Sequence, residues 1–375
     1  MIDPKNSIDS LMDVGIRDGN IAAVSRDLDA SNSAKVLDVT GLYVLPGLID
    51  LHTHHFGYSA SVSPDEYAIP NGITTVVDAG GSGWKNFEEF KRTVIDHSTT
   101  RVLAFLNIVG GGMLGTVEQD VTEMQPEPCA STITEYSEIL VGIKAAHYDG
   151  PGWESVDGAV KAGELSGTVV MVDYHRHSRR SYQELLMEHM RPGDMHTHQY
   201  GLHTPQFDEQ GRLHGFIREA RKRGVLFDVG HGGGSFWWRI AKPCTEQDFW
   251  PDTISTDVHE GSIFLPNATV PSTMCKLMAL GMEFQEAVAR STCIPANNIN
   301  RSELGSLSVG SEADVAVFEL ENGDFGFTDS GLARQQASQR LRCHLTLRAG
   351  RPVWDLNGLT RPNWETQGDY IRVSV

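Results

Sequence analysis

The chain has 375 residues, 40% of them hydrophobic and 21% charged, an ordinary globular composition with length for a barrel-sized domain and a smaller companion. A formal charge of -18 excludes sequence-independent nucleic-acid binding, which runs on neutralising phosphates with Lys and Arg. No apolar run approaches the roughly 18 residues of a membrane span, the N-terminus lacks an apolar leader core, and Cys129, Cys244, Cys275, Cys293 and Cys343 form no CxxC pair. The expectation is therefore a cytoplasmic protein with reduced thiols and neither a membrane nor a nucleic-acid partner.

In chain order, residues 14–39 read as short strands with a turn at Asp18-Gly19. From residue 44 onward, runs rich in Val and Ile recur at 44–51, 74–78, 102–108, 139–145, 168–175, 194–198, 225–229 and 253–257. Charge and apolar period predict helices over 86–95, 181–190, 211–223 and 283–291. Strands alternating with helices predict an α/β fold, a closed (β/α)8 TIM barrel over residues 46–303, with an open doubly wound sheet as the alternative. Residues 313–354 return to strands, with turns at Asn322-Gly323 and Ala349-Gly350. Residues 1–45 and 304–375 are thus expected to meet in one small β-sandwich domain.

In such a barrel, chemistry sits where the strands end, on one face. His52 and His54 end the first run two residues apart, so they share a face and can present both imidazoles to one metal ion. Lys144 ends the fourth run, Asp173 and His175 the fifth, His198 the sixth and Asp257 the eighth, while His231 follows the seventh. Lys144 is the most diagnostic, because a lysine cation facing metal ions would be repelled. Its neutral amine can instead take up carbon dioxide, giving a carbamate whose oxygens bridge two metals. Any one of these residues alone is ordinary as a structural histidine or a snorkelling lysine; their coincidence at matching strand ends points to a site.

Several stretches together resemble the amidohydrolase superfamily, most nearly its dihydroorotase-like amidohydrolase/deacetylase branch. They are Tyr43-Val44-Leu45-Pro46-Gly47-Leu48-Ile49-Asp50-Leu51-His52-Thr53-His54, Gly72-Ile73-Thr74-Thr75-Val76-Val77-Asp78-Ala79-Gly80, Arg191-Pro192-Gly193-Asp194 with Thr197-His198, Phe227-Asp228-Val229-Gly230-His231-Gly232, Asp252-Thr253-Ile254-Ser255-Thr256-Asp257, and the segment from Gly305 to Phe318. The resemblance implies a metal-dependent hydrolase, usually with zinc, acting on amide or ester bonds through a metal-activated water. It implies that His52, His54 and Asp257 hold the more buried metal, and that carbamylated Lys144 bridges to a second, held by His198 and a fifth-strand ligand. Asp257 would also take the proton of the attacking water and pass it to the leaving group.

Two departures from the family pattern stand out. Asp173 occupies the position of a family histidine, and His175 lies two residues on, on the same face if the strand continues; either is the fifth-strand ligand, or only one metal is firmly held. A carboxylate there could shift preference from zinc toward Mn or Fe. The sequence also begins at a segment, Ile2-Asp3-Pro4, before which family members usually carry an extra strand, so either the sandwich is short of one strand or the true start lies upstream. An unpaired sandwich edge would invite a homo-oligomer.

The expected substrate is a small molecule bearing a carboxylate, since Arg176, Arg179 and Arg180 crowd the loop after the fifth run and Arg pairs well with carboxylates; a merely solvated loop is the alternative. His231 and Gly233, in a glycine-rich stretch without the frame of a phosphate loop, are expected to approach substrate. Tyr58 and Asn107 are weaker pocket candidates. The expected function is a deacylase of N-acyl amino acids or acylated hydroxy acids, with a cyclic amide hydrolase as the alternative. A non-catalytic scaffold, the reading of a different class, would lack the ligands that are present here.

Overall fold

The run at residues 44–51 serves two sheets. Tyr43–Pro46 pairs antiparallel with Val315 to Phe318, and Leu48–Thr53 opens a parallel sheet. The two part at Gly47, where a Cβ would lie 2.2 Å from Thr74 Oγ1; no side chain fits at the crossing. The structure, a computed structural model, describes residues 1–369, so the last part of the expected C-terminal sandwich segment, residues 370–375, lies outside the described residues.

The parallel sheet consists of β1 (Leu48–Thr53), β2 (Ile73–Gly83), β3 (Arg101–Asn107), β4 (Leu140–Ala145), β5 (Val169–Val172), β6 (Met195–His196) and β7 (Leu226–Phe227), neighbours in sequence order. Residues 253–258 close it through two isolated parallel bridges, Asp228 to Thr253 on one side and Thr53 to Val258 on the other. The result is the (β/α)8 TIM barrel, with its eighth strand reduced to these contacts. Ile49, Leu51, Val77, Ala79, Leu103, Phe105, Val141, Met171 and Met195 fill the interior, and Ala296, Ile299 and Leu304 pack on the same cluster. Gly142 leaves room for Phe105, whose ring lies 2.7 Å from where a Cβ would be. Strands buried on both faces read as near-continuous apolar runs, which is why the first five runs stand out in the sequence.

The second layer is a four-stranded antiparallel sheet in the order Arg351–Asp355, Arg334–Arg348, Val315–Thr328, Tyr43–Pro46, accompanied by the hairpin Asp13–Arg17 with Asn20–Ser25. Val315, Val317, Leu345 and Leu347 bury against Ile21 of the hairpin, while Ala316 and Phe318 join the main core. N- and C-terminal segments therefore build one small β-sandwich domain. The turns at Asp18-Gly19 and Ala349-Gly350 form with positive φ at all four residues. Asn322-Gly323 is not a turn: the strand runs through it with a register shift between Asn322 and Phe325, so glycine there marks a bulge.

Helix bounds differ from expectation where side chains compete with the backbone. The expected helix at 211–223 starts only at Gly215, because Asp208 ties residues 208–212 into a turn by accepting from the Gln210 and Arg212 amides. At 181–190, Ser181 caps Tyr182–Glu184 by accepting from the Glu184 amide, and Leu185–His189 then widens into a π-turn. No helix among the described residues is long and apolar enough to cross a membrane. All five cysteines are free and buried.

Candidate metal centre

One pocket at the C-terminal end of the barrel is lined by His52, His54, Tyr58, Met113, Lys144, His147, Asp173, His198, Asp257 and His259. The sheet delivers these residues at or just beyond its strand ends. β5, β6 and β7 are shorter than the sequence suggests, so Asp173, His198 and His231 stand on the backbone that follows them. His198 and Asp257 have φ of 62° and 46°, in the left-handed region that non-glycine residues adopt at a cost.

The His52 side chain is 1% exposed and is gripped from behind: its Nδ1 lies 2.9 Å from the Thr197 hydroxyl, which donates to Asp228 at 2.9 Å. Asp228 also accepts from Thr253 at 2.6 Å and Ser255 at 2.6 Å. This explains the Asp252-Thr253-Ile254-Ser255-Thr256-Asp257 pattern. Thr253 and Ser255 anchor the segment to Asp228, and Thr256 faces away, donating to Asp50 at 2.5 Å beside the Tyr67 hydroxyl. Burial pushes the Asp50 carboxyl up to about 7 despite these donors.

His54 Nε2 lies 2.8 Å and His52 Nε2 3.5 Å from Asp257 Oδ1. The three residues offer ligand atoms within 4.8 Å of one another, a His-His-carboxylate donor set suited to a divalent transition metal. Burial holds His52 well below the usual imidazole range, helped by Lys144, and so favours the neutral ring that binds metals. For Asp257, burial opposes ionisation but His52 and His54 outweigh it and hold the carboxyl far below its usual range. Gly232, at φ 51°, makes room for that carboxylate, since a Cβ would come within 2.3 Å of Asp257 Oδ2.

Lys144 is 1% exposed, with Nζ 3.3 Å from His52 Nε2. Gly80, at φ 86°, clears its path, because a Cβ there would lie 2.7 Å from Lys144 Cβ. Burial lowers the Lys144 pKa, with Asp173 and Asp257 opposing, and a lowered pKa raises the fraction of neutral amine. Opposite, Asp173 Oδ2 lies 3.4 Å from His198 Nε2, whose Nδ1 hydrogen-bonds the Gly230 carbonyl at 2.7 Å. Burial works against the His198 cation, but Asp173 overrides it and brings the imidazole up to about 9.

The remaining candidates do not all line the pocket, although His175 offers a ligand atom within 4.8 Å of those of Asp173 and His147. His175 does not line the pocket: the chain leaves the sheet after Val172, the two-residue period lapses, and His175 Nδ1 meets Asp149 at 2.9 Å. His231 is fully buried, stacked on Phe236 with Nε2 2.6 Å from Lys276 Nζ, and does not face the pocket. Gly233 borders the pocket wall, its Cβ position 3.5 Å from His259 Cε1. Arg176 and Arg179 are exposed, whereas Arg180 is buried over Tyr148 and Trp153 and donates to the Tyr148 carbonyl. Asn107 is a brace, donating to the Gly80 carbonyl at 3.0 Å. Tyr58 does line the pocket, its ring 5.2 Å from His54. Sequence reasoning missed Met113, His147 and His259, which sit on loops where no periodicity marks them.

The fold and the donor set have counterparts among known proteins. The chain is 32% identical over 326 residues to a deacetylase of Brucella anthropi, covering 84% of this chain and 80% of the relative. It is 33% identical over 325 residues to a deacetylase of Agrobacterium fabrum, covering 84% and 79%. The chain belongs to the amidohydrolase superfamily. Crystal structures described as an adenine deaminase and a dihydroorotase superpose with TM-scores of 0.86 and 0.83 at 27% and 30% identity, covering 92% of this chain and 95% and 96% of theirs. No protein-family model matches the chain. As a superfamily member of the dihydroorotase-like deacetylase branch, it is a metal-dependent hydrolase of C–N bonds acting on small molecules.

Proposed function

We propose that this amidohydrolase is a zinc-dependent deacylase that cleaves an N-acyl amino acid or an acylated hydroxy acid. The observation that carries the reading is the contact of His52, His54 and Asp257 at one side of a pocket whose other side holds Lys144, Asp173 and His198. His52, His54 and Asp257 would hold one ion, and Asp173 with His198 a second. Lys144 would bridge them after its amine adds to carbon dioxide, forming a C–N bond and releasing one proton. When bound, the ions would supply a Lewis acid for the scissile carbonyl and lower the pKa of water to about 7.

The chain's own groups do the rest. Asp257, whose Oδ1 lies 2.8 Å from His54 Nε2, accepts the proton of the attacking water and returns it to the leaving nitrogen or oxygen. Tyr58 and His259, which line the pocket, would help exclude water from the acyl group. Arg176 and Arg179, exposed on the loop that follows Asp173, are the groups assigned to the substrate carboxylate in this reading, since Arg pairs well with carboxylates.

The test is a panel of N-acetyl amino acids, O-acetyl hydroxy acids and cyclic amides such as dihydroorotate, each acyl compound paired with its neutral amide. Turnover of acyl carboxylates, with KM rising for the neutral partner and in Arg176→Ala/Arg179→Ala, is the expected result. Turnover confined to the cyclic amides would replace the reading with ring-opening hydrolysis.

A further inference from the structure

One imidazole in the pocket is singled out neither by strand period nor by resemblance. His147, just past the end of β4, has its Nε2 3.5 Å from Asp173 Oδ2, the same oxygen that His198 Nε2 approaches at 3.4 Å. Two imidazoles from different strand ends thus aim at one carboxylate oxygen. On its far side, His147 Nδ1 lies 3.2 Å from Oε1 of Glu118, whose side chain is only 12% exposed. An outer acceptor on one ring nitrogen with the other presented inward is how metal-binding histidines are oriented. His52 and His198 show that arrangement in this pocket, through Thr197 and the Gly230 carbonyl. The backbone gives an independent sign: His147 has φ 32°, so it shares with His198 and Asp257 a left-handed conformation that non-glycine residues adopt only where the surroundings impose it.

We propose that His147 is a ligand of the second metal ion, completing a set with Asp173 and His198. The inference rests on the metal-centre reading above. A carboxylate oxygen is two bonds from Cβ and an imidazole Nε2 is three, so Asp173 is a shorter arm than the histidine it stands in for. An added imidazole from the neighbouring strand end restores the nitrogen donor that this exchange removes. His175 falls outside the set although it clusters with His147 and Asp173, because it does not line the pocket.

The experiment strips the full-length protein, His147→Ala, His147→Gln and His175→Ala of metal, and reloads each with zinc. Zinc per chain is counted by elemental analysis, each dissociation constant is measured against a competing chelator, and cobalt(II) substitution reports the ligand field. The expected result is two ions in the native protein, a second ion weakened at least about 100-fold in both His147 variants, an altered cobalt spectrum there, and no change in His175→Ala. The first ion, retained in every variant, reports that the fold is intact. Two tight ions in the His147 variants would overturn the proposal while leaving the two-metal reading in place. Loss of the ion in both His147→Ala and His175→Ala would overturn it in favour of an outer site at the rim. A native protein with no second ion would overturn both readings.

Discussion

His54 Nε2 lies 2.8 Å from Asp257 Oδ1, across the seam where the first barrel strand meets the last. The seam is closed by the same residues: the His54 amide donates to the Val258 carbonyl at 3.1 Å, and Thr53 bridges Val258. Closing the barrel and assembling the first half of the site are therefore one event, which binds the site's geometry to the stability of the fold. Asp257→Asn keeps the side chain's shape and removes its basicity. It should lower kcat by roughly 100- to 10,000-fold with the first metal ion still bound; an unchanged kcat on any substrate the native protein cleaves would refute the proton-transfer role.

Lys144→Ala should lose most of the second ion and most activity. A short carboxylic acid such as propionate, supplied in the assay, should restore part of both by standing in for the carbamate. Full two-ion occupancy in Lys144→Ala would count against the bridge.

Gly232→Ala tests how Asp257 is positioned. The added methyl would come within 2.3 Å of Asp257 Oδ2, and φ 51° is costly for alanine. Stability should fall by about 1–3 kcal/mol in urea denaturation, and kcat should fall with it. An unperturbed kcat would show that the carboxylate's placement is not critical.

Lys276 should set part of the pH dependence of stability. It is fully buried against His231 and the Pro266 carbonyl, and burial pushes its pKa down from 10.5 to about 7. Between about 7 and 10.5 the unfolded chain binds more of this proton than the native chain does. Stability from this residue is therefore complete above 10.5 and is lost as pH falls through about 7. Lys276→Met should remove that slope, read as the difference between variant and native unfolding free energies across pH; parallel profiles would contradict it.

Most of the barrel and the first half of the site were legible in the sequence, for a physical reason. Strands buried on both faces give unbroken apolar runs, and His52 and His54 lie at the end of one, where the two-residue period applies. Legibility failed where that period stopped. Past Val172 the chain leaves the sheet, so the period could not decide between Asp173 and His175, and no period covers His231, which follows the seventh run and turns back onto Phe236 and Lys276. His147 and His259 carry no pattern at all, since they stand on loops, held by contacts such as those with Glu118 and with the Ser262 turn. The bracing roles of Asp50 and Asp228 were also invisible, because the donors that define them, Thr256 for Asp50 and Thr197, Thr253 and Ser255 for Asp228, come from other barrel strands that only the fold brings together.

The central claim is that this pocket hydrolyses acyl amides or esters only with metal in place. The most direct measurement is a zinc titration of metal-stripped protein with hydrolysis of its best N-acetyl amino acid or O-acetyl hydroxy acid as the readout. Activity absent at the start and saturating at two zinc ions per chain is the predicted result. Hydrolysis indifferent to metal, or none at any loading across the whole acyl panel, would contradict it.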